Sequence, residues 1–195
     1  MENKYLKAGY FIVYKTRNTF YHKLIVDTQK KAHLSSENID YVHVEPIIND
    51  RWSVNSKLPK IRISDMFEMH KGEYCKIVKP KIENYGKYRK EVLIQCLTRV
   101  NLPYGLIGLF WFKLRKIFKR NFFAFFGDFC SELCGYGLWK IFVEQKNIDF
   151  AKIMPRRFDT LYPADFLDSR YFEIIWEGEI ENLSKNKVDK WILFE

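Results

Sequence analysis

Residues 41–48, YVHVEPII, and residues 127–142, GDFCSELCGYGLWKIF, decide the reading of this chain. The first stretch alternates: Val42 and Val44 point one way and leave Tyr41, His43 and Glu45 on the other face, as in a half-buried strand. The second places Cys130, Leu133, Cys134, Gly137, Leu138 and Ile141 on one helical stripe that begins near Asp128, a candidate N-cap. An imidazole on a strand and a thiol in the first turn of a helix are the parts of a cysteine nucleophile. Only the thiolate attacks, and both helix N-terminal amides and a neighbouring imidazolium favour it.

Working outward, Gly9–Tyr14 is rich in aromatic and β-branched residues and reads as a first strand. A helix over Asn18–Lys30 follows, with Phe20, Leu24, Ile25 and Thr28 on one face. A polar connection through Ser35, Ser36 and Asn38 leads into a strand over Ile39–Ile48. Asn49 and Asp50 supply turn chemistry before Arg51–Asn55, so these two segments are expected to pair antiparallel. Lys60–Ile63 reads as a strand, Ser64 as the cap of a short helix through Met69, and Tyr74–Val78 as a strand ending at Pro80. Tyr88, Val92, Cys96 and Leu97 recur at helical spacing within Asn84–Val100, which stops before Pro103. Beyond Pro155, LYPADFLDSRYFEIIWEGEI gives a capped turn and a strand, and Trp191–Phe194 gives a closing strand. Strands first, helices next and strands last argue an α+β class, with a small antiparallel sheet packed against helices.

At 195 residues and 47% hydrophobic content, the chain supports one sizeable core, and a single domain over residues 1–195 is expected. Its 33 basic against 24 acidic residues give a net charge of +9 and favour anionic partners. Cys75, Cys96, Cys130 and Cys134 have neither paired CxxC spacing nor the density of a disulfide scaffold, so reduced thiols in a cytoplasmic setting are expected. The N-terminus has charges on both sides of a short apolar run, unlike a signal peptide. LPYGLIGLFWF and FFAFF are well short of the roughly 20 residues that span a bilayer.

Each candidate has a plainer reading. Cys130 could be a small core residue opening a packed helix, and His43 a hydrogen-bonded structural histidine. His22, His33 and His70 have weaker contexts. A cysteine–histidine pair needs a third group to fix the ring tautomer, and both Asn55 and Glu45 qualify. Asn55 is preferred, because a cross-strand partner reaches the edge of a ring more readily than an i+2 neighbour. Cys130 and Cys134 could share a zinc ion, but no further Cys/His pair has ligand spacing, so neither metal nor cofactor is expected.

The segments KAGYFIVYK, YVHVEPI, LPYGLIGLF and FCSELC, with the tail LYPADFLDSRYFEIIW, resemble the permuted branch of the NlpC-type papain-like superfamily, nearest the YiiX-like proteins. In that branch the histidine precedes the cysteine. The resemblance implies a circularly permuted papain-like fold with Cys130 as nucleophile and His43 as base. It places Asn55 where the branch has a polar third residue, often Glu. Two positions depart from its pattern: Glu45–Pro46 follows YVHV where small or apolar residues are usual, and Gly105 stands where aspartate is common. Pro46 cannot donate a ladder hydrogen bond, so its strand is expected at an edge or interrupted.

The implied activity is that of a cysteine peptidase or amidase acting on an amide or ester carbonyl through an acyl-enzyme. Peptides, including cell-wall peptides, and lipid acyl groups are the substrate classes. A lipid-directed thiol acyltransferase at an anionic membrane is the alternative, suggested by WFKLRKIFKRNFFAFF just before the cysteine. That stretch reads more readily as a helix with a buried apolar face and solvated Lys and Arg. A non-catalytic protein keeping the fold within a virus particle or larger assembly is a third reading. Nucleic-acid binding rests only on charge and on aromatics that are more simply explained as core.

Overall fold

The structure, a computed structural model, describes residues 3–15, 20–32, 37–103 and 129–185. The expectations for residues 104–128, including the Asp128 cap, the basic aromatic stretch and Gly105, lie outside the described residues, as do Ser35, Ser36 and the strand at Trp191–Phe194. What is described is a mixed α+β architecture with a small antiparallel sheet and helices.

Strand β1 (Phe11–Lys15) is the inner spine, with Phe11, Ile12, Val13 and Tyr14 all removed from solvent. A strand buried on both faces loses the polar alternation that an exposed face would impose, which is why FIVY is apolar or aromatic throughout. It pairs antiparallel with β2 (His43–Pro46) on one side and β5 (Tyr74–Pro80) on the other, and β5 in turn pairs with β6 (Phe172–Glu179). The order is β2-β1-β5-β6. Pro46 therefore sits on an edge strand, where a missing N–H costs no ladder bond.

Strands β3 (Trp52–Lys57) and β4 (Lys60–Asp65) form a separate two-stranded sheet. The expected pairing of the His43 strand with Arg51–Asn55 is thus corrected: the two touch through the single bridge Ile47↔Ser53 and then part. One face of the hairpin places Val54 and Ile61 against Leu93, Cys96 and Leu133. Between β4 and β5 lies α2 (Met66–Met69), capped by Asp65 and not by Ser64; the Asp65 carboxylate accepts from the amides of Phe67 at 3.0 Å and Glu68 at 3.3 Å. An ionised cap oxygen is the stronger acceptor for orphan helix amides.

Helix α1 (Phe20–Lys31) presents Gln29 inward. Its side chain donates to Ile39 O and Tyr41 O and accepts from Ala164 N, tying the segment that leads into β2 to the 3-10 turn Pro163–Leu167. Helix α3 (Tyr85–Leu97) runs against α4 (Cys130–Leu138), which continues into a π-helical stretch, Trp139–Gln145. The close approach of α3 and α4 depends on Gly137, where a Cβ would lie 2.6 Å from Cys96 Sγ and 2.8 Å from the Val92 carbonyl oxygen. Gly9, at φ +82°, fits under α3, and Tyr85 donates to its carbonyl. A last helix, α5 (Ile180–Lys185), places Ile180 and Leu183 in the main core with β1, β5 and α4. Among the described residues, no helix is long and apolar enough to cross a membrane.

Candidate functional site

Register assembles the site. Tyr14 on β1 is opposite His43 on β2 and Cys75 on β5, so the Tyr14 and His43 side chains rise from the same face of the sheet. Two residues along β2, Glu45 rises beside His43 and is completely buried. His43 Nε2 and Glu45 Oε1 are 2.8 Å apart. Opposite them, α4 packs on β2 and begins with Cys130, 4% exposed, the neighbour that does most to raise the His43 ring. Its first turn is held by the Glu132 carboxylate, which accepts from the Phe129 amide at 3.1 Å, and by the Ser131 hydroxyl, which donates to Leu161 O at 2.7 Å.

Glu45, not Asn55, is the carboxyl or amide group on the ring. Because β3 leaves the sheet after one bridge, Ser53 is the residue that reaches the β2 site: its hydroxyl donates to Glu45 Oε2 at 2.5 Å. Asn55 is fully buried two residues farther on and has no hydrogen-bond partner among the described residues for either side-chain atom. The preference for a cross-strand partner assumed a ladder that does not continue.

The residue missed by sequence reading is His70. It follows α2, is buried, and places Nε2 2.9 Å from the same Glu45 Oε1, while its Nδ1 lies 2.8 Å from Glu73 Oε2. With a carboxyl group at each ring nitrogen, both N–H groups of a charged His70 ring would find an acceptor. Tyr14 stacks on it with ring centroids 3.7 Å apart, offering its π face to the cation. No periodicity signals this role; HKGE, with Glu73 three residues after His70, is the only local cue.

The electrostatics follow. Burial works against a charged His43 ring, but Cys130 and Glu45 overcome it and push the ring up to about 10. Burial likewise opposes an ionised Glu45, but the His70 and His43 donors hold its carboxyl well below the usual carboxylate range. His70 is raised against its own burial by Glu45 and Glu73. Burial drives Cys134 in the opposite direction, well above the usual thiol range, and raises Cys75 too. With His43 Nε2 occupied by Glu45, Nδ1 is the nitrogen left to exchange a proton with Cys130.

His43, Glu45 and His70 are also residue types that hold metals, and their ligand atoms lie within 4.8 Å of one another. The 2.8 and 2.9 Å separations are hydrogen-bond lengths, shorter than the edge of about 3.3 Å that 2.0 Å tetrahedral bonds require. As they stand, the three groups share protons. Comparisons with protein-family models, with curated proteins and with solved structures find no match.

Proposed function

We propose that this protein is a cysteine hydrolase of peptidase or amidase type, with Cys130 as nucleophile, His43 as general base and acid, and Glu45 as the group that orients and charges the ring. The observation that carries this reading is the His43 ring lying between a thiol at a helix start and a buried carboxylate. His43 Nδ1 takes the Cys130 proton, the thiolate adds to an amide or ester carbonyl, and the ring returns the proton to the leaving group. Water, activated by the same ring, then resolves the acyl-enzyme. The backbone amides at the N-terminal end of α4 are suited to stabilise the oxyanion.

The order of the parts supports a permuted papain-like arrangement, with the histidine strand preceding the cysteine helix. The contact of His43 Nε2 with Glu45 supports Glu45 in place of the third residue expected at Asn55.

A thiol-directed probe at neutral pH tests the proposal. Cys130 should be labelled in preference to Cys75, Cys96 and Cys134, all of which are fully buried. Cys130→Ala should abolish labelling, and His43→Ala should slow it while the circular dichroism spectrum is unchanged. Equal labelling of all four thiols, or an unchanged rate in folded His43→Ala, would overturn it.

A further inference from the structure

The face of the β3–β4 hairpin that meets Glu45 is built unlike the rest of the interior. Alternation and cross-strand register place Ser53, Asn55 and Lys57 on it from β3, opposite Ser64, Arg62 and Lys60 from β4. None of the six is acidic, and the opposite face carries Trp52, Val54, Ser56, Ile61, Ile63 and Asp65. At the inner end Ser53 bonds to Glu45. One pair along, roughly 7 Å away by strand rise, both Asn55 side-chain atoms and Arg62 Nε are buried without a hydrogen-bond partner among the described residues, as is Ser64 Oγ beside Ser53. The Arg62 guanidinium approaches Met69 Sδ at 3.9 Å and has no carboxylate within ion-pair distance among the described residues. At the outer end Lys57 and Lys60 are exposed.

Buried polar groups are ordinarily paired, and leaving four atoms unmet on one small face costs free energy that a bound partner would recover. We infer that this face is a substrate subsite for an extended acidic peptide, leading from the catalytic triad toward the hairpin tip. Asn55 has an unmet donor and an unmet acceptor, the complement of one peptide amide. Arg62 and Ser64 have unmet donors, the complement of a side-chain carboxylate. Lys57 and Lys60 extend the positive potential to solvent and would steer an anionic chain inward. This assignment rests on the Cys130 reading for the bond that is cleaved, and it names the substrate class.

The test uses a matched pair of N-acetyl tripeptidyl vinyl sulfones, one with glutamates and one with glutamines, and follows Cys130 modification by intact mass. One charge-assisted contact predicts that the glutamate probe reacts about 10-fold faster or more at low salt. That ratio should fall with added salt, drop to about 2-fold or less in Arg62→Gln, and shrink in the surface double variant Lys57→Gln/Lys60→Gln. Equal rates for the two probes in the wild-type chain, or a ratio untouched in folded Arg62→Gln, would overturn the subsite. Calorimetric binding of the glutamate tripeptide amide to Cys130→Ala, weakened by Arg62→Gln, would support it even if Cys130 proved unreactive, so the two readings fail separately. Arg62-dependent retention on phosphatidylglycerol vesicles with no peptide preference would assign the face to lipid and overturn the peptide occupant.

Discussion

Glu45→Gln keeps the shape of the side chain and removes its charge from a fully buried position where three donors converge: His43 Nε2 at 2.8 Å, His70 Nε2 at 2.9 Å and the Ser53 hydroxyl at 2.5 Å. Removing one partner of a buried charged pair costs about 3–5 kcal/mol, because the other charge is left uncompensated. Here two imidazoles lose their counter-charge, so urea unfolding at pH 7 should show a loss of at least about 3 kcal/mol. The same change removes one of the two groups that push His43 up to about 10. Each pKa unit lost is about 1.36 kcal/mol, or tenfold in the charged population. Alkylation of Cys130 by iodoacetamide, followed across pH 5–9, should slow about 10- to 100-fold on the acid side. If Glu45→Gln unfolds the chain, Ser53→Ala is the milder probe, with an expected loss of about 1–2 kcal/mol and a smaller change in profile. Stability within about 0.5 kcal/mol of wild type together with an unchanged pH–rate profile would refute the assignment of Glu45.

His70→Gln should shift the pH profile of Cys130 alkylation without abolishing the reaction, since His70 acts through Glu45 and the neighbouring His43 ring; a rate as low as that of Cys130→Ala would argue direct participation. Because the folded His43 ring is held up to about 10 from its ordinary 6.5, the stability it contributes is complete below about pH 6.5 and is lost as pH rises toward 10, so the stability gap between wild type and His43→Gln should narrow over that range in urea titrations. Gly137→Ala pushes a Cβ to 2.6 Å from Cys96 Sγ and 2.8 Å from a backbone oxygen, and thermal melts should show about 1–3 kcal/mol of destabilisation; a neutral result would mean α3 and α4 can separate freely.

Local pattern alone was enough to find most of the strands described, the short helix after β4 and the helix that Cys130 opens. These follow from periodicity over five to ten residues, which tertiary packing only trims: α3 ends at Leu97 where the pattern ran to Val100, and the α2 cap is Asp65 where Ser64 was expected. Alternation also sufficed to place His43 and Glu45 on one face of β2. Choosing between Glu45 and Asn55 was beyond it, because that depends on where two sheets part company. The β2–β3 ladder ends after Ile47↔Ser53, so Ser53 reaches Glu45 and Asn55, one pair farther along the same face, does not.

His70 was equally out of reach of the pattern, since it follows a four-residue helix and meets Glu45 across 25 positions of chain. Alternation and helical spacing are properties of consecutive residues, and the sequence by itself determined which elements form and which faces they offer. Convergence of Cys130, His43, Glu45 and His70 depends on distances between elements far apart in the chain, and only the packed fold decides those.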